Sequence, residues 1–231
     1  MKIGIFTDSH YSSQEITCRN RFNSRSLQKI EKAYRAFEDQ KCDMVICLGD
    51  LIDQDGSHAQ EVENLRKVTQ VINVSPIPTI FVMGNHDAFS FEPEEFYSIV
   101  GKSAPADMLI ENKNLIFLDA CYFNTGAHYM PGDSDWTDCY YPHAAELSQK
   151  LATLDGDTYI FLHQNIDPAV LANHRPSNAD AIFRMIEASG KVKAVYQGHY
   201  HPGMRSEYNG IAYVAFPAMC ENEDAYFTIE I

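Results

Sequence analysis

The sequence predicts an α/β fold, built either on one mixed sheet or on two sheets packed face to face with helices outside. Three observations lead there. Short apolar runs alternate with segments of helical period through the first half of the chain, and a run of strand-like segments closes it. The stretch from Met44 to Leu48 is apolar without alternation, as expected of a strand covered on both faces in a parallel sheet.

In chain order, "KIGIF" reads as a strand. From Ser26 to Gln40, Leu27, Ile30, Tyr34 and Phe37 recur at helical spacing. "DMVICLGD" is the second strand. Ser57, with Gln60 as its capping-box partner, opens a helix striped by Val62, Leu65, Val68 and Ile72. "IPTIFVMG" is the third strand. Pro93 and the acidic pair Glu94 and Glu95 open a short helix. "NLIFLDA" is a strand, residues 121 to 142 are irregular, and a helix runs from about His143 to Leu154. "TYIFLHQN" is a strand, and Ser177 with Asp180 caps a helix that Gly190 ends. "KAVYQGHYH", "MRSEYNG", "IAYVAF" and "AYFTIEI" are strands, with a hairpin turn at Asn209-Gly210.

No Pro, Gly or Ser-rich linker divides the 231 residues, so one domain over 1–231 is expected. No apolar run approaches the ~20 residues a membrane helix needs, and the apolar stretch after Lys2 is too short for a signal peptide. Cys18, Cys42, Cys47, Cys121, Cys139 and Cys220 are scattered, without C-x-x-C pairs. Cys42 and Cys47 read as core thiols, and a reducing, cytoplasmic setting is expected. The net charge of -14 opposes binding to nucleic-acid backbones and anionic membranes. An enzyme of that charge acting on small phosphates needs a local positive charge, and metal ions are the obvious source.

Five apolar strands end in clusters of one chemical kind. They run into Thr7-Asp8-Ser9-His10, Gly49-Asp50-Leu51-Ile52-Asp53, Gly84-Asn85-His86-Asp87, His163-Gln164-Asn165 and Gln197-Gly198-His199-Tyr200-His201. Ligands of α/β sheets bind at the carboxyl ends of strands, so these clusters are expected to converge. Carboxylate, amide oxygen and imidazole suit Mn, Fe or Zn. The donors are too many for one ion, whereas two ions ~3.5–4 Å apart sharing a carboxylate would use them all. Gly49, Gly84 and Gly198 let backbone and ligands crowd together.

The ordered set Asp8-x-His10, Gly49-Asp50-x-x-Asp53, Gly84-Asn85-His86-Asp87, a lone His163, then Gly198-His199-x-His201 resembles the calcineurin-like metallophosphoesterase superfamily. The resemblance implies a four-layer αββα sandwich of two mixed β-sheets flanked by helices. It implies that Asp8, His10 and His201 hold one metal, that Asp50 bridges, and that Asn85, His163 and His199 hold the other. His86 matches the family's catalytic histidine, and Asp53 the acid that pairs with it. Asp87 is left to support the turn. The two ions, divalent or trivalent Mn, Fe or Zn, would activate a bridging hydroxide for in-line attack on phosphorus. His86, oriented by Asp53, would protonate the departing oxygen. Two divalent ions less two carboxylates and one hydroxide leave about +1, a surplus that neutral Asn85 preserves for phosphate.

The expected substrate is a small nucleotide-like phosphodiester or pyrophosphate. "RNRFNSRSLQKI" is similar to the Arg-rich helix start of manganese-dependent ADP-ribose and CDP-alcohol pyrophosphatases. "GDSDWTDCYYP" is similar to a loop of the same group and of some bacterial cyclic-nucleotide phosphodiesterases. Arg19, Arg21 and Arg25 are candidates for a substrate phosphate, or else a solvated patch, with Arg21 and Arg25 the favoured pair. Trp136, Tyr140 and Tyr141 could stack a base or form a small satellite core, the latter being commoner for loop aromatics. His58 and His128 are candidates for the pocket rim, His174 is the competing histidine beside His163, and Tyr122-Phe123 reads as packing. A phosphomonoesterase, possibly a protein phosphatase, is the alternative, although "GDLIDQDG" lacks the Arg that follows the motif's second Asp in protein phosphatases. A non-catalytic scaffold of the same fold is the remote one, since every motif position is filled.

Overall fold

The computed structural model describes residues 1–18 and 20–231. Arg19, one of the three candidate arginines, lies outside the described residues. The chain enters β1 (Lys2–Phe6), buried from Ile3 onward. A 3-10 turn at Asn23–Arg25 leads into α1 (Ser26–Asp39), which buries Ile30, Ala33, Tyr34 and Phe37 along one face. β2 (Met44–Cys47) is buried throughout, as its unbroken apolar run requires. Then come α2 (His58–Ile72), β3 (Thr79–Phe81), α3 (Asn85–Ser90), α4 (Pro93–Val100), β4 (Met108–Ile110) and β5 (Lys113–Phe117). The second half holds α5 (Ala144–Thr153), β6 (Asp157–Leu162), α6 (Ala179–Ser189), β7 (Val192–Gln197), β8 (Met204–Tyr208), β9 (Ile211–Ala215) and β10 (Phe227–Glu230).

Two mixed sheets result. One has strand order β10-β1-β2-β3, with β10 antiparallel to β1 and the rest parallel. The other runs β4-β5-β6-β7-β9-β8, parallel from β5 to β9, with an antiparallel strand at each edge. Three apolar clusters correspond to three interfaces. Phe37, Leu65, Val68 and Phe96 pack α1, α2 and α4 on the outer face of the small sheet. Leu147, Leu151, Ile182 and Ile186 pack α5 and α6 on the outer face of the large one. Ile3, Ile5, Ile46, Leu115, Phe161 and Tyr196 fill the space between. The arrangement is the αββα sandwich.

Four local features differ from the expectation. "NHDAFS" turns at once into α3, so Asn85, His86 and Asp87 fan out from a helix rather than from a strand end. β4 was not read from the sequence: it is three residues long and joins β5 through Glu111 and Asn112, both at positive φ. Ser57 caps α2 by accepting the Gln60 N–H, but the Gln60 side chain donates to Asn64, so only half the capping box forms. Ser177 does not cap α6. The N-cap is Asn178, whose amide clasps the backbone of Tyr141 instead, while Asp180 pairs with Arg175. Gly190 ends α6 in the left-handed conformation as expected. Cys42 and Cys47 are buried and unbonded. Among the described residues no helix is long and apolar enough to cross a membrane.

Candidate active site

The loops leaving β1 and β2 continue the strand pairing beyond the strands. Asp8 N–H donates to the Gly49 carbonyl at 3.0 Å, His10 N–H to Asp50 at 2.9 Å, and Tyr11 N–H to Leu51 at 2.9 Å. This lacing holds Asp8, His10 and Asp50 at positive φ, and His199 after β7 shares the conformation. Non-glycine residues seldom adopt it, and a strained backbone of this kind accumulates at functional sites. The crowding is tight enough that a Cβ on Gly84 would overlap the backbone nitrogen and carboxylate of Asp50.

The seven motif residues Asp8, His10, Asp50, Asn85, His163, His199 and His201 meet in one buried cluster. Nε2 of His10 lies 3.2 Å from Nε2 of His201 and 3.6 Å from Oδ1 of Asp8. Asp50 Oδ2 lies 3.5 Å from His10 Nε2 on one side and 3.2 Å from His163 Nε2 on the other. His163 Nε2 is also 3.1 Å from Oδ1 of Asn85. His163 Nδ1–H donates to the Leu48 carbonyl, which turns the Nε2 lone pair toward the cluster. Asp50, His163 and His199 form one group with metal-ligand spacing, and His10 joins two more.

The donor set fits cations. Asp8 Oδ1 and His199 Nε2 are buried with no hydrogen-bond partner, a costly state unless something else fills it. Burial alone would lower the pKa values of His163 and His201. The carboxylates of Asp50 and Asp8 outweigh it at His163, and those of Asp8 and Glu221 at His201, pushing both up to about 9. The cluster therefore draws protons where it would hold metal ions. Burial keeps His199 low, and burial together with Arg21 and His86 lowers His10 to about 4.

His86 stands at the edge of this cluster. Its backbone N–H donates to Asp50 Oδ1 at 2.8 Å, and its Nδ1 lies 2.8 Å from Asp53 Oδ1. It meets the spacing condition with His10 and Asp50, but Asp53 occupies one of its two ring nitrogens. The other oxygen of Asp53 receives Thr17 Oγ1, Asn23 Nδ2 at 3.2 Å and Arg21 Nη1 at 3.3 Å. Asp87 faces away from the cavity and accepts from the N–H groups of Leu51, Ile52 and Gly84.

A cavity of about 380 Å³ opens over the cluster, lined by Cys18, Arg21, Asp50, Asn85, His86, Trp136, His174, His199, His201 and Glu221. A larger apolar cavity of about 530 Å³ opens among Tyr196, Phe216 and Phe227 and is lined by none of the motif residues. Arg21 reaches the site cavity. Arg25 does not: it is half exposed and pairs with Glu223 at 2.6 Å. His58 pairs with Glu95 and His128 with Asp119, both away from the cavity, so neither forms its rim. His174 lines the cavity without joining a group of metal-ligand spacing. Tyr141 is buried against the large sheet, and Phe123 packs on the small-sheet core. Four residues not singled out in the sequence belong to the surroundings. Glu221 Oε1 sits 2.6 Å from His201 Nδ1, Cys220 lies beside His10 and His201, and Thr17 and Asn23 hold Asp53. None ends a strand, and no spacing in the sequence ties them to the motifs.

The model of the calcineurin-like phosphoesterase family matches residues 1–203. The 3',5'-cyclic adenosine monophosphate phosphodiesterase CpdA of Haemophilus influenzae is 24% identical over 204 residues, covering 84% of this chain and 68% of that protein. A probable cyclic nucleotide phosphodiesterase of Psychrobacter is 26% identical over 196 residues, covering 78% of this chain and 53% of that one. The chain thus spans about half the length of the second relative. Among solved structures, a dimetal phosphatase from Danio rerio superposes with a TM-score of 0.81 at 15% identity, covering 98% and 91% of the two chains. A purple acid phosphatase from yellow lupin gives 0.62 at 13% identity, over 93% of this chain and 43% of its own. With the family's motifs gathered in one buried cluster and its model matched over most of the length, the chain belongs to the calcineurin-like phosphoesterases, hydrolases of phosphoric esters.

Proposed function

We propose that this chain hydrolyses a phosphodiester or pyrophosphate bond in a small nucleotide-like substrate, using two metal ions. One observation carries the reading. A single oxygen, Asp50 Oδ2, stands between His10 Nε2 at 3.5 Å and His163 Nε2 at 3.2 Å, with the remaining donors divided to either side. A shared carboxylate oxygen between two sets of donors is what a pair of ions needs. Asp8, His10 and His201 would hold one ion and Asn85, His163 and His199 the other, with Asp50 available to both donor sets. Ions bound there would supply positive charge and an activated water.

The chain's own residues do the rest. The carboxylate of Asp53, 2.8 Å from Nδ1 of His86, orients the ring, which lines the cavity and there donates a proton to the departing oxygen. Arg21, held against Asp53, presents a cation to a non-bridging phosphate oxygen. Asn85 contributes a neutral donor, which leaves the site cationic toward its anionic substrate. The curated relatives carry phosphodiesterase names, which favours a diester over a monoester.

The test is a substrate panel on protein loaded with Mn, Fe or Zn: bis-p-nitrophenyl phosphate, p-nitrophenyl phosphate, cyclic nucleotides and ADP-ribose. Turnover of diester or pyrophosphate substrates is expected. Turnover of p-nitrophenyl phosphate alone replaces the reading with a monoesterase, and inactivity with every metal favours the scaffold.

A further inference from the structure

We infer that Trp136 is the platform on which the substrate's flat aromatic group stacks, a specificity-determining residue for a nucleobase; this rests on the phosphoesterase reading of the same cavity. Of the three stacking candidates Trp136, Tyr140 and Tyr141, Trp136 alone lines that cavity. Tyr141 is buried in the large-sheet core, and Tyr140 is tied into bridges with Cys121 and Tyr122.

The indole is fixed on several sides. It packs against the apolar cluster on the small-sheet side of the sandwich. His174 backs it at 5.0 Å between ring centroids, tilted by 37°. His199 meets it edge-to-face at 5.3 Å. His174 is itself held, since its carbonyl accepts the Asn165 N–H and it closes the 3-10 turn Ala172–His174. A ring immobilised by its neighbours before a ligand arrives loses little entropy on stacking. Trp136 stays partly exposed, and it lines the cavity together with Asp50, Asn85, His86 and Arg21. A planar group on the indole therefore sits beside His199, one of the metal-spaced donors, within the length of a single nucleotide. The chain is acidic at -14, yet a neutral base gains from stacking without regard to that charge.

Trp136 is the single tryptophan, so intrinsic indole emission reports this residue alone. Metal-loaded protein is titrated with AMP and with ribose 5-phosphate, following emission and, in parallel, inhibition of bis-p-nitrophenyl phosphate hydrolysis. AMP is expected to quench the emission saturably over the range in which it inhibits. Ribose 5-phosphate is expected to inhibit without quenching. Trp136→Leu is expected to weaken inhibition by AMP about tenfold, within the range for one base–aromatic stack, and to leave ribose 5-phosphate unchanged. Trp136→Phe is expected to keep most of the difference, and it guards against a folding defect in the leucine variant. Equal weakening of both inhibitors, or inhibition by AMP with unchanged emission, overturns the inference. Failure of the phosphoesterase reading is distinct: no ester is hydrolysed, while the emission titration still reads the platform.

Discussion

Asp53 and His86 face each other at 2.8 Å, carboxylate Oδ1 to imidazole Nδ1, with three further side chains holding the opposite oxygen of Asp53. The pair is thereby fixed from the acid's side: Thr17, Arg21 and Asn23 all come from the loop between β1 and α1. Asn23 also donates to the His10 carbonyl, so one buried amide ties the pair to the cluster.

Asp53→Asn leaves the metal donors in place but removes the carboxylate that aims His86. The kcat is expected to fall by about 10²-fold or more, with metal content held at two ions per chain. Steady-state kinetics beside elemental analysis of the same sample checks both halves.

For His86→Ala the same separation is expected more sharply. Turnover falls by about 10²–10⁴-fold, the usual contribution of a general acid, while both ions stay bound. Loss of metal from this variant would mean that His86 is a ligand, a role that its spacing to His10 and Asp50 makes worth testing.

Asp50→Ala removes the oxygen shared by the two donor sets. Metal content and activity are expected to fall together, because Asp50 Oδ2 is the oxygen that stands between His10 and His163. Metal titration followed calorimetrically separates this outcome from a pure loss of turnover.

Gly84→Ala tests the crowding rather than the chemistry. Gly84 has an ordinary negative φ, so backbone conformation does not demand glycine there. Space does, since the added Cβ meets Asp50's own backbone nitrogen, which cannot swing aside. A destabilisation of about 1–3 kcal/mol is expected, as for overpacked sites, together with weakened metal binding. Thermal melts with and without metal measure the two effects.

His128 offers a pH test away from the cavity. Burial would lower its pKa, but the hydrogen bond and charge of Asp119 outweigh burial and leave it raised above 6.5. A raised histidine contributes stability that is fully present below the unfolded pKa and is lost as pH rises through the folded one. Asp119→Asn should therefore destabilise the protein more at pH 6 than at pH 9. Equal shifts in melting temperature at the two pH values would remove the ion pair as the cause.

The strands were legible because their apolar runs are short and uninterrupted, and the metal-site candidates because each cluster directly follows one. That the clusters holding Asp8, His10, Asp50, Asn85, His163, His199 and His201 meet followed from the rule that strand ends converge; the choice of these residues within each cluster came from the family resemblance. What stayed hidden depends on neighbours distant in sequence. Arg25 has the composition of a phosphate contact, but Glu223 lies within reach and claims it. Ser177 has the chemistry of a cap, but Asn178 occupies the capping position and spends its amide on Tyr141. Strand β4 is three residues with one exposed leucine between two half-buried neighbours, too little pattern to read. Thr17 and Asn23 carry no motif at all; only the path of their loop brings them to Asp53.

The lacing of the loops after β1 and β2 bears on when the ions arrive. Asp8, His10 and Asp50 are held by main-chain bonds to one another's loops, bonds in which no ion takes part. The frame is thus a finished vessel rather than one moulded around its contents. Chelation is expected to empty it without unfolding the chain, and refilling to be a matter of exchange and supply. The identity of the occupant then belongs to the surroundings of the protein as much as to the protein itself.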